Sequence, residues 1–237
     1  MKQIIRIFVI VLLTSQASFA QKTDSLSRYS LLGIRPKTMV APLVLATAGI
    51  YIQSNYALKA DAQTALRAAL PFTTKIDDYL VFAPILPVYA HSLLTQKSAN
   101  YMLNQTLLLA KTELLVLGTV YLLKNTTKVL RPDGSARNSF PSGHTAQAFA
   151  SATFLRHELG DKNIWIAIGG YAVATSAGLM RIANNRHWLS DVCLGAAIGI
   201  LGTELVYATH KNKYFTKKKF GVMPVVGYKQ AGLLVRF

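Results

Sequence analysis

The chain has 237 residues, 51% of them hydrophobic and only 15% charged, with a formal net charge of +16. A soluble domain carries about a quarter charged residues, so the composition points to a membrane-embedded protein or an unusually apolar helical bundle. The single cysteine, Cys193, excludes a disulfide framework. The basic residues are scattered between apolar runs, which argues against nucleic acid as the anionic partner.

The N-terminus reads as an export leader. Lys2 and Arg6 precede an apolar run, and Ser18 and Ala20 set the small-x-small pattern of a cleavage site after Ala20. An uncleaved anchor over 1–20 is the alternative, and 21–38 is a lead-in. Six apolar stretches follow, near 39–53, 79–94, 102–123, 145–155, 164–180 and 189–208. Their Leu, Ala, Ile and Val content suits helix. Pro84 and Pro87 interrupt the second, and the more polar 55–78 suits an amphipathic surface helix. The expected fold is an all-α, six-helix body over 39–210, membrane-embedded or membrane-associated. The third, fifth and sixth stretches approach the ~20 apolar residues of a spanning helix. The third also carries Asn104, Gln105, Lys111 and Glu113, which are costly against lipid but tolerable inside a bundle. Over 211–237 a strongly basic run leads into a valine-rich tail that suits a short β-hairpin or an extended segment.

Three clusters hold the chemistry. In "KNTTKVLRP", Lys124 and Arg131 are seven apart and would share one face of a continuing helix. In "NSFPSGHTA", Ser139 can cap a helix with Pro141 in its first turn. Ser142, Gly143 and His144 would then sit among free N–H groups that favour an anion. In "RIANNRHWLSDV", His187 and Asp191 are four apart and would meet on a helix face. A carboxylate on one imidazole nitrogen leaves the other free to attack. Helix alternation brings all three clusters to one rim. Cations and N–H donors for oxyanions, a nucleophile and an acid make a site shaped for phosphate.

The spaced motifs Lys124…Arg131-Pro132, Pro141-Ser142-Gly143-His144 and Arg181…His187…Asp191 resemble the signature of the type 2 phosphatidic acid phosphatase superfamily, which also holds vanadium haloperoxidases and bacterial acid phosphatases. One position departs: Met180 stands where the family has serine before the arginine. The resemblance implies that His187 attacks phosphorus and forms a phosphohistidine, that Asp191 orients it, and that His144 protonates the leaving oxygen. Lys124, Arg131, Ser142, Gly143 and Arg181 would hold the phosphoryl oxygens. No metal or other cofactor is called for. Arg137, Asn185, Arg186 and Trp188 are candidates for shaping the mouth, and Asp133 for a loop contact to backbone or a cation.

The expected activity is hydrolysis of a phosphomonoester or diphosphate, with a lipid phosphate favoured by the apolar body. Undecaprenyl diphosphate, phosphatidate, phosphatidylglycerophosphate and lipid A are the candidates. A broad-specificity periplasmic acid phosphatase, a vanadate-dependent haloperoxidase and a non-catalytic protein binding anionic lipid are the competing readings. The expected location is the bacterial envelope, at a membrane, with the active rim facing the periplasm. A basic cytoplasmic tail and a cleaved leader conflict if all six stretches span.

Overall fold

The computed structural model describes residues 36–95, 100–161, 163–210, 221–227 and 230–236. The export leader, most of the lead-in and the basic run after His210 lie outside the described residues.

In chain order the helices are α1 (Pro36–Ser54), α2 (Tyr56–Ala69), the single turn α3 (Asp77–Leu80), α4 (Ile85–Thr95), α5 (Met102–Thr127), α6 (Gly143–Leu155), α7 (Ile164–Ala183) and α8 (Leu189–Thr209). A π-helical turn, Arg156–Gly160, extends α6. Beyond them β1 (Gly221–Gly227) pairs antiparallel with β2 (Gln230–Arg236), running from Gly221↔Arg236 to Gly227↔Gln230. The body is all-helical, as the apolar stretches predict, but the second stretch is not one helix. Its chain turns between α3 and α4, and Pro84 and Pro87 fall at and just inside the start of α4, where a missing N–H leaves no hydrogen bond unmade. The polar stretch before it forms α2, capped by Asn55, whose Oδ1 accepts from Leu58 N at 3.1 Å.

α6 and α8 are the centre. α8 packs against α6, α1 and α5, and α7 covers another side of α6. Ala148, Phe149 and Ala152 of α6 meet Ala196, Ala197 and Ile200 of α8, with Leu45 and Tyr171 closing the cluster. Helix backbones come this close because small residues line the contact. At Gly195 an added Cβ would lie 2.6 Å from the Ser142 carbonyl oxygen, so this glycine sets how near α8 approaches the start of α6.

Three helices, α5, α7 and α8, are long and apolar enough to cross a membrane. α5 stands at the edge: only 22% of its most apolar window is buried, against 61% for α8. Leu103, Leu107, Leu114, Leu117 and Leu122 are exposed on it. Apolar surface of this extent is uncommon on a protein bathed in water. Several of its polar residues turn inward, although Lys111 is exposed. Asn104 and Gln105 are buried, Glu113 Oε2 accepts from Gln147 Nε2 at 3.0 Å, and Lys111 Nζ lies 3.1 Å from His210 Nδ1.

Candidate active site

The end of α5, the start of α6, the end of α7 and the start of α8 form one rim, and the sequence-predicted residues gather there. α5 stops at Thr127 because Lys128 takes a left-handed conformation, φ 47°. Arg131 therefore lies in the following loop, not one helix face on from Lys124. Asn138, absent from the sequence reading, joins the two: its carbonyl accepts from Lys124 Nζ, and its Oδ1 accepts from Arg131 Nε at 2.9 Å.

The helix cap is also displaced. Ser142, not Ser139, is the N-cap of α6; its Oγ accepts from Thr145 Oγ1 at 2.9 Å and from Thr145 N at 3.4 Å. Pro141 precedes the cap and is not in the first turn. The reason is tertiary. Ser142 N donates to the Asp191 carbonyl at 3.0 Å, which fixes Ser142 in extended backbone and starts the helix at Gly143. Ser139 is freed for another partner: its hydroxyl donates to Asp191 Oδ2.

His187 precedes α8 and is not on it. Asp191 is the third residue after the Trp188 cap, and its Oδ2 accepts from Trp188 N at 2.9 Å. The same oxygen lies 3.2 Å from His187 Nδ1. An ionised carboxylate only accepts, so Nδ1 carries the proton and Nε2 keeps its lone pair. His187 is buried, and burial pulls its pKa down to about 4; the Asp191 contact opposes this, and the Lys124 and Arg181 charges reinforce it. The imidazole is thus neutral and oriented near pH 7.

Arg181 and His144 are held by residues the sequence reading did not include. Arg181 Nη1 donates to Asp77 Oδ2 at 2.6 Å and lies 3.8 Å from Asp78 Oδ1. His144 Nε2 is 2.9 Å from Asp78 Oδ1. Burial, then the nearby Arg181, lowers the His144 pKa, and Asp78 and Asp77 oppose that. Asn184 fixes the α3 segment, accepting from Thr74 N at 2.9 Å and donating to Thr74 O at 2.7 Å. One signal for these residues was present: in a chain of 10 acidic and 26 basic residues, Asp77-Asp78 is the sole adjacent acidic pair.

Around the mouth, Trp188 Nε1 donates to Leu130 O at 2.9 Å, and the buried Lys59 ammonium of α2 sits 4.8 Å from the Trp188 ring centre. Asn185 Oδ1 accepts from Gln63 Nε2 at 3.0 Å. Arg186 Nη1 donates to Asp133 Oδ2 at 3.1 Å, and Asp133 Oδ1 also accepts from Ser135 N and Oγ. Arg137 is exposed.

The arrangement is one nucleophilic imidazole with its carboxylate, a second imidazole, three cations and the N-terminus of α6, whose first-turn N–H groups have no partner within their own helix. Residues 105–215 match the sequence model of the PAP2 superfamily. A lipid A 1-phosphatase from Porphyromonas gingivalis is 50% identical over 103 residues, covering 40% of this chain and 23% of the relative. The chain thus spans under a quarter of the length of the curated relative it matches. The crystal structure of Aquifex aeolicus LpxE superposes with a TM-score of 0.47 at 21% identity, covering 61% of this chain and 93% of that one.

Proposed function

We propose that the protein is a phosphatase that removes a phosphoryl group from a lipid phosphate or diphosphate through a phosphohistidine on His187. The observation that carries this reading is the buried His187–Asp191 pair, set at a rim where Lys124, Arg131 and Arg181 converge with the start of α6. The neutral Nε2 attacks phosphorus, and the bond from phosphorus to the lipid oxygen breaks. The departing oxygen takes the proton of His144, and Asp191 offsets the positive charge developing on His187. Water then attacks the phosphoimidazole with His144 as base, releasing inorganic phosphate and restoring His187. Lys124, Arg131 and Arg181, with the Ser142 hydroxyl and Gly143 N–H, stabilise charge on the equatorial oxygens.

The lipid character of the substrate follows from the body around the site. The long apolar helices support a rim set at a bilayer surface, where a phosphorylated head group presents itself. The lipid A 1-phosphatase relative makes the phosphate of lipid A the first candidate, ahead of undecaprenyl diphosphate, phosphatidate and phosphatidylglycerophosphate. The protein resides in the membrane of the bacterial envelope with the rim toward the periplasm.

The test is phosphate release in detergent or bilayers, with chelator present, from these four lipids and a soluble aryl phosphate. The expected result is preference for one lipid and a loss of about a thousandfold or more in His187→Ala. Undiminished release by His187→Ala would overturn the mechanism. Equal turnover of the soluble ester would overturn the lipid assignment.

A further inference from the structure

Asp77 and Asp78 are neighbours on one helical turn, yet their surroundings differ. Asp77 is fully buried and bound to Arg181 Nη1 at 2.6 Å, with Asn184 Nδ2 donating to its other oxygen at 3.2 Å. It is a fixed strut. The Asp78 side chain is 54% exposed, and its Oδ1 reaches both His144 Nε2, at 2.9 Å, and Arg181 Nη1, at 3.8 Å. One carboxylate oxygen of an exposed side chain therefore stands between the second imidazole of the rim and one of its cations. A phosphoryl oxygen would seek the same two partners.

We infer that Asp78 is a positioning residue that acts as an internal anion: it holds His144 by Nε2 in the ligand-free protein and yields that place when a phosphoryl group enters. This deepens the phosphatase reading and rests on it for its catalytic meaning. While Asp78 accepts the Nε2 proton, that nitrogen cannot deliver it to a leaving oxygen. The carboxylate must swing out, and its exposure leaves it room to do so. Until then its charge opposes the burial and the Arg181 charge that lower the His144 pKa. The charged groups facing His144 are Asp77 and Asp78 from α3 and Arg181 from α7. Lys124 ends α5, Arg131 lies in the loop after it, and the His187–Asp191 pair begins α8 at the same rim.

The two halves of this role have opposite signs when the charge is removed. Asp78→Asn eliminates a competing anion, so an incoming anion binds more tightly. It also removes the counter-charge of His144, so the imidazole loses its proton at lower pH. A residue that merely braced the fold would move neither readout in this paired way.

The experiment uses the full chain in detergent, with inorganic phosphate as the probe. Phosphate affinity and the NMR titration of labelled His144, assigned by its loss in His144→Gln, are measured for the native protein, Asp78→Asn, Asp78→Ser and Asp78→Glu. The expected result is binding about fivefold tighter in the Asn and Ser variants and a His144 midpoint lower by about one pH unit. Asp78→Glu should stay near the native values. Unchanged or weaker phosphate binding in Asp78→Asn, no saturable binding in either protein, or an unmoved His144 midpoint would each overturn the inference. Neither readout requires turnover, so failure to hydrolyse any lipid would count against the phosphatase reading and leave this test standing.

Discussion

The two ends of the bundle both bury ionisable groups, and they treat them differently. At the end away from the rim, Glu158 accepts from Asn100 N and Nδ2, Gln105 Nε2 and Tyr207 OH. Arg156 pairs with Glu204, and the His157 ring stacks on Tyr207 with centroids 3.9 Å apart. Asp191 and Glu204 are thirteen residues apart on α8, so the two clusters lie about 20 Å from each other. At the far end, acids and bases answer one another within the protein. At the rim, among the described residues, the hydrogen bonds of the Lys124 ammonium and Arg131 Nε go to neutral oxygens of Asn138. A satisfied network fixes helices; an under-matched one is poised for an anion from outside.

That contrast predicts a double dissociation. His187→Ala should abolish turnover while lowering thermal stability less than loss of the Glu204 carboxylate does. Glu204→Ala should do the reverse, because it removes the carboxylate paired with a buried guanidinium. About 3 kcal/mol of stability should be lost in thermal or denaturant unfolding, while kcat per folded molecule stays within about twofold of native. A Glu204→Ala protein that is stable but inactive would erase the distinction between the two ends.

Ser139→Ala probes the rim alone. It removes a hydroxyl donor from the buried Asp191 carboxylate, and hydrogen bonds to charged groups contribute about 1.5–3 kcal/mol. The expected outcome is a fall in kcat/KM of about tenfold or more, with KM little changed. An unaltered kcat would mean that Trp188 N and His187 satisfy Asp191 without it.

The smallest effect is in the pH profile of kcat/KM, which reports the free enzyme. The mechanism needs His187 neutral and His144 protonated. The His187 pKa is depressed to about 4, so activity should persist as pH falls and decline only near that value, not at the ordinary 6.5. The His144 pKa is also depressed, so activity should decline on the basic side below pH 6.5. An acid limb at 6.5 would show that His187 is not the buried, neutral imidazole described here.

Much of the rim was legible in the sequence because its residues sit in short, spaced motifs at the ends of apolar runs. Lys124, Ser142, His144, Arg181, His187 and Asp191 are placed together as helix alternation requires. What the spacing could not show is set by tertiary hydrogen bonds. Ser142 became the cap because a carbonyl forty-nine positions on, at Asp191, takes its N–H. Arg131 left the helix because the chain reverses at Lys128. Asp77 and Asp78 belong to a segment with no motif, and they reach Arg181 and His144 across 104 and 66 positions of sequence. The adjacent acidic pair marks the two residues in the sequence, but not the partners they reach.

The most direct test is to quench the protein in alkali during turnover of its preferred lipid phosphate and to map any covalent phosphate. The account predicts nitrogen-linked phosphate on the peptide that contains His187, absent from His187→Ala. Steady release of phosphate with the label on another residue would contradict it.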